Sequence, residues 1–264
     1  PRGRCCCFCR PFLKVTFPVI NHPWSEPVGT IDKVIPDRQK EPATNPARSA
    51  VRNTWFSRLV VASCFILSPV HAEVRLPKVI SSQMVMQRGR PVPIWGWADP
   101  GEEVTVRFRR ATVVTKADAE GNWRVELPAQ KADGTAYRMT VRGKNKIELH
   151  NIVVGDVWVA SGQSNMEKPL GPAPGQAPCQ DWQEEVAAAD FPQIRLLEMP
   201  PRDAERPLTD GDCEWLPCSP HTILRQRGRG AGYSACAYFF ARKLHRELQV
   251  PIGMIAASVG GTRC

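Results

Sequence analysis

Between Val74 and Asn151, apolar and polar residues alternate in short runs. Val104-Thr105-Val106-Arg107-Phe108, Trp123-Arg124-Val125-Glu126-Leu127 and Tyr137-Arg138-Met139-Thr140-Val141 each put every second side chain on one face, the period of a half-buried strand. Asp99-Pro100-Gly101, Glu120-Gly121-Asn122 and Asp133-Gly134 separate such runs with residues suited to tight turns. Short strands at this spacing predict a small antiparallel β-sandwich over 73–150. Beyond it the period changes. Ile152 to Ala160 is mostly apolar, as a strand covered on both faces requires. Ala237, Phe240, Ala241, Leu244 and Leu248 fall on one helical stripe that Pro251 ends, and Ile252 to Ala257 form a second apolar run. Strand, helix, strand is an α/β arrangement, with parallel strands and right-handed connections expected. Residues 168–181, rich in Pro and Gly, read as loop.

Charge and cysteine content divide the 264-residue chain at about residue 72. Residues 1–72 hold ten Lys/Arg against four Asp/Glu, so +6 of the formal net charge of +9 lies there. From Glu73 onward the balance is only +3, which argues against a nucleic-acid partner. Cys5, Cys6, Cys7 and Cys9 crowd the amino terminus. Cys6 and Cys9 make one Cys-x-x-Cys without a second pair or a suitably spaced His, so no metal site is expected. Cys179, Cys213, Cys218, Cys236 and Cys264 fall in the later region, enough for two bridges with one thiol left over and no pairing readable.

Arg52 and Arg58 precede the apolar run Leu59 to Leu67, and Val70-His71-Ala72 follows as a small-x-small cleavage site. That order predicts a signal peptide over 51–72 and a secreted or periplasmic protein; so short a run anchors nothing stably in a membrane. Residues 1–50, punctuated by seven prolines from Pro11 to Pro46 and starting with Pro1, are expected to be a disordered upstream extension, with translation beginning at Val51.

The chemistry concentrates in Gly155-Asp156-Val157-Trp158-Val159-Ala160-Ser161-Gly162-Gln163-Ser164-Asn165-Met166. A serine hydroxyl attacks esters when it is exposed, hydrogen-bonded to a base and close to donors for the oxyanion. Here an apolar strand runs into Gly162, which permits a sharp turn and brings Ser164 to the strand tip, where open α/β sheets place ligands. Met166 rules out the Gly-x-Ser-x-Gly elbow. On spacing alone the segment also reads as an ordinary polar turn.

This block resembles the nucleophile segment of the sialate O-acetylesterase family, within the Ser-Gly-Asn-His hydrolase superfamily. Trp215-Leu216-Pro217-Cys218-Ser219-Pro220, Tyr238-Phe239-Phe240-Ala241-Arg242-Lys243-Leu244-His245, and Val250-Pro251-Ile252-Gly253 with Ser258-Val259-Gly260-Gly261-Thr262 are similar to three further family segments in the same order. The resemblance spans about residues 73–263. It implies an α/β fold: a truncated flavodoxin-like parallel-sheet hydrolase domain over 151–264, preceded by the β-sandwich.

The resemblance also implies Ser164 as nucleophile, with Gln163, Gly260 and Gly261 binding substrate or the oxyanion and the choice between the two glycines open. An acetylated carbohydrate substrate and no cofactor are implied as well; the oligomeric state is left open. The family's Gln-Gly-Glu-x-Asn block and closely spaced Asp and His are expected downstream of Cys264. His150, His221 and His245 read as structural or solvated, so the chain alone is expected to lack esterase activity. The alternative is a non-catalytic, secreted carbohydrate-binding protein. Arg225-Gln226-Arg227-Gly228-Arg229-Gly230 departs from the family pattern and reads as a solvated loop.

Overall fold

A computed structural model describes residues 13–14, 73–225 and 232–261. The expected signal peptide, most of the upstream extension with its cysteine cluster, and most of the basic Gly-rich loop lie outside the described residues.

Apolar alternation becomes antiparallel pairing, as β-branched and aromatic residues on a pleated surface favour. After the two-residue β1 (Leu13–Lys14), the chain forms β2 (Val85–Gln87), β3 (Val92–Trp97), β4 (Glu103–Phe108), β5 (Ala111–Lys116), β6 (Asn122–Leu127) and β7 (Tyr137–Arg142). Gly101, Gly121 and Gly134 adopt φ of 75°, 82° and 71° in the connecting turns, which side chains would resist. β3 pairs with β6 in a separate two-stranded sheet, while β4 pairs with β5 and β7. Val104, Val106, Phe108, Trp123, Val125, Leu127, Met139 and Val141 meet in one core, the inward half of each alternation.

The next strand, β8 (Lys146–Gly162), is 17 residues long. Its first half pairs antiparallel with β7 and its second half pairs parallel with β11 (Ile252–Ser258). Positions 150 and 151, where the hydrophobic period changes, thus lie inside a single strand. A nine-stranded mixed sheet results, in the order β10-β9-β11-β8-β7-β4-β5, with β1 and β2 also on β8. β9 (Phe191–Glu198) runs parallel to β11, and β10 (Trp215–Cys218) antiparallel to β9. Neither strand is evident from alternation, because Pro192, Arg195 and Pro217 interrupt it.

Two short helices, α1 (Ser164–Glu167) and α2 (Trp182–Ala187), precede α3 (Ala235–Leu248). The predicted helix is present, and four of its five stripe residues face the core: Ala237 and Ala241 are buried, and Phe240 and Leu244 are partly buried against it. Ala235, Ala237, Tyr238 and Ala241 are buried, whereas Leu248 is 43% exposed. Tyr238 joins the buried face, and Leu248 lies beyond it, because the helix is buried through its first two turns. Ile194, Leu196, Ile252, Met254 and Ala256 supply the facing surface. Among the described residues, no helix is long and apolar enough to cross a membrane, and no group of three or more His, Cys, Asp or Glu is placed to hold a metal ion.

Candidate active site

The carboxyl ends of β8 and β11 lie side by side in register, Ser258 opposite Gly162. Gly162 has φ +150°, and a Cβ there would sit 3.3 Å from Cβ of Met166, so the turn favours glycine. The Gln163 carbonyl then accepts from Met166 and Glu167 N–H, each at 2.9 Å, starting α1. Ser164 is the first residue of that helix and is exposed. Gln163 precedes it half-buried, with extended backbone and no side-chain capping bond.

Three ties hold α1 in place. Ser234, which caps α3 by accepting from Ala237 N–H, donates its hydroxyl to the Met166 carbonyl at 2.6 Å. Val259 N–H donates to the Gly162 carbonyl at 3.1 Å. Gly260 N–H donates to Oε2 of Glu167 at 2.9 Å. A Cβ on Gly260 would lie 2.3 Å from that oxygen and 3.7 Å from Cα of Ser164, so the Gly260 turn stands directly beside the serine. Gly261, exposed with φ +82°, continues the turn.

A cleft of about 620 Å³ opens next to the Gly260 turn, lined among others by Glu167, Glu198, Met199, Ser258, Val259 and Gly260; of the expected site residues only Gly260 lines it, and Ser164, Gln163 and Gly261 lie outside its lining. Such a volume suits one small ligand. No described histidine lines it. His245 places Nδ1 2.8 Å from the Val250 carbonyl, tying the end of α3 to the next loop, while His150 and His221 are exposed. Cys218 is buried, and burial pushes its thiol up to about 12, so no thiolate is available at neutral pH.

Two residues with no role assigned from the sequence shape the surroundings. Glu167 links α1 to the Gly260 turn across 93 positions. At the other end of the parallel strands, Asp156 is 1% exposed on its side chain. It accepts from Arg88 Nε at 3.0 Å, Arg88 Nη2 at 2.9 Å and Gln87 Nε2 at 3.1 Å. Gln87 Oε1 in turn accepts Val157 N–H at 2.9 Å. The hydrogen bond to Asp156 holds the Arg88 guanidinium above its ordinary pKa.

No protein-family model matches the chain. It is 32% identical over 206 residues to the sialate O-acetylesterases of Pongo abelii and Homo sapiens, a match covering 71% of this chain and 37% of each relative. Among solved structures, a carbohydrate acetylesterase from Xanthomonas citri superposes with a TM-score of 0.64 at 34% identity, covering 72% of this chain and 41% of that one. The chain therefore spans well under half the length of the relatives it matches. Both likenesses and the strand-to-turn arrangement around Ser164 lead to the same assignment: the chain belongs to the sialate O-acetylesterase family.

Proposed function

We propose that this chain carries the nucleophile-bearing part of a secreted serine esterase that removes O-acetyl groups from sialic acid or related acetylated glycans. The observation that carries the reading is the exposed Ser164 at the end of β8, beside the Gly260 turn and the 620 Å³ cleft. Its hydroxyl attacks the acetyl carbonyl, the sugar leaves with a proton, and water releases acetate from the acyl-serine. The backbone N–H of Ser164 and that of Gly261 stabilise the oxyanion. Gly260 is the poorer donor because its N–H is engaged by Glu167. By the family resemblance a histidine base and an orienting carboxylate complete the site, and no described histidine lines the cleft.

The test is acetate release from an O-acetylated sugar by protein made from the reading frame extended past Cys264. Ser164→Ala is expected to cost at least about a thousandfold in kcat/KM, and the 264-residue chain alone to release no acetate. An extended protein whose activity survives Ser164→Ala, or rapid release by the short chain, refutes the proposal. The absence of a described histidine in the cleft also favours a second reading, a glycan-binding protein without catalysis. An inactive extended protein that still binds glycan would establish it.

A further inference from the structure

The backbone that carries Glu167 is anchored on both sides to the start of α3. Just before it, the Met166 carbonyl accepts the Ser234 hydroxyl; just after it, the Lys168 carbonyl accepts Ala235 N–H at 3.0 Å. Ser234 is 5% exposed, so the first of these bonds is shielded from competing water, and Pro169 forms a β-bridge with Ser234. Within α1, Glu167 N–H and Lys168 N–H donate to the Gln163 and Ser164 carbonyls, each at 2.9 Å. Residues three apart on a helix are neighbours on its surface. Ser164 and Glu167 therefore sit on one short frame that α3 holds still.

The turn after β11 is held differently. Its two glycines lose more conformational freedom on ordering than other residues would. Among the described residues, the bond to Glu167 is the one hydrogen bond that Gly260 and Gly261 make. A carboxylate accepting a backbone N–H forms a charge-assisted bond, stronger than a neutral one. An oxyanion donor is effective only if it is in place before charge develops. Whatever fixes the glycine turn against α1 therefore sets how well its free N–H serves the serine.

We propose that Glu167 is a positioning residue. Through Gly260 it locks the turn beside Ser164 and keeps the Gly261 N–H in place for the oxyanion, without itself moving a proton or gripping the sugar. This rests on the esterase reading and adds to it the group that arranges the oxyanion donors.

Glu167→Ala, Glu167→Gln and Ser164→Ala are compared by acetate release in the extended protein. The 264-residue chain, made with isotope-labelled glycine, reports hydrogen exchange at the Gly260 amide. Glu167→Ala is expected to lower kcat by about ten- to a hundredfold with KM unchanged within about threefold, and to speed exchange at Gly260. Glu167→Gln, whose carbonyl oxygen accepts the same bond but takes up no proton, restores most of kcat and the protected amide. Gly260→Ala, whose Cβ would lie 2.3 Å from Oε2 of Glu167, also lowers kcat. It has no further effect once Glu167→Ala has made room, a coupling in kcat that two independent losses do not show.

Full kcat in Glu167→Ala overturns the proposal. So does a higher KM at full kcat, which makes Glu167 a sugar contact, or an inactive Glu167→Gln, which makes it a base or a needed charge. A Gly260 amide that exchanges freely in the unaltered chain overturns it as well, and that measurement needs no variant to fold. If acetate release survives Ser164→Ala, the esterase reading fails and the positioning role falls with it. If Ser164→Ala abolishes release while Glu167→Ala does not lower it, the positioning role alone fails.

Discussion

The parallel strands end differently at their two edges. At the amino end, the carboxylate of Asp156 is sealed from solvent and takes three donors from Arg88 and Gln87. There Gly155 comes so close to the next loop that a Cβ would lie 1.9 Å from the Pro251 carbonyl oxygen. At the carboxyl end, Ser164 is exposed, and Glu167 and Glu198, which line the neighbouring cleft, are only half-buried. One strand, β8, supplies both ends. Polar groups that are fully matched inside the protein serve its architecture, because leaving them unmatched costs stability. Polar groups held in place yet open to solvent are the ones available to a ligand.

Substitutions at the two ends put that contrast at risk. The largest effect is expected from Gly155→Ala, since the clash is with backbone rather than with a flexible side chain. A loss of about 3 kcal/mol in urea unfolding is the expected outcome, and a loss under about 1 kcal/mol would mean that the close approach is not a constraint. Asp156→Ala comes next, at about 2 kcal/mol by the same measurement, because Gln87 and Arg88 lose their acceptor while Arg88 turns partly to water. Ser164→Ala comes last, with stability unchanged within about 0.5 kcal/mol. Should the serine substitution destabilise as much as the aspartate one, the division between a structural and a functional edge is wrong.

The sequence showed the elements whose pattern is local. β4, β6 and β7 announce themselves by alternation, β8 and β11 by apolar runs, and α3 by its stripe. β9 stayed hidden because Arg195, only 4% exposed, sits in its middle. Its guanidinium bonds to the side chains of Gln83 and Asn151, 112 and 44 positions away, and burial lowers its pKa. A buried cation held by two amides, its Nε without a hydrogen-bond partner among the described residues, leaves no mark in the hydrophobic pattern. At the candidate site, the apolar strand and Gly162 foretold a turn that exposes Ser164. The bond from Gly260 to Glu167 could not be read, since it joins segments that only the parallel pairing of β8 with β11 brings together. The same bond bears on which glycine offers its N–H to an oxyanion, a choice that residue types alone leave open.

The continuity of β8 reaches beyond the site. Seventeen residues of extended chain span roughly 55 Å, passing from the antiparallel sheet into the parallel layer without a linker. The amino-terminal module is therefore not a detachable cargo that recombination can graft onto another α/β domain at residue 150. A splice there divides one strand between two polypeptides, strips each half of its partners, and makes the two regions a single unit of inheritance.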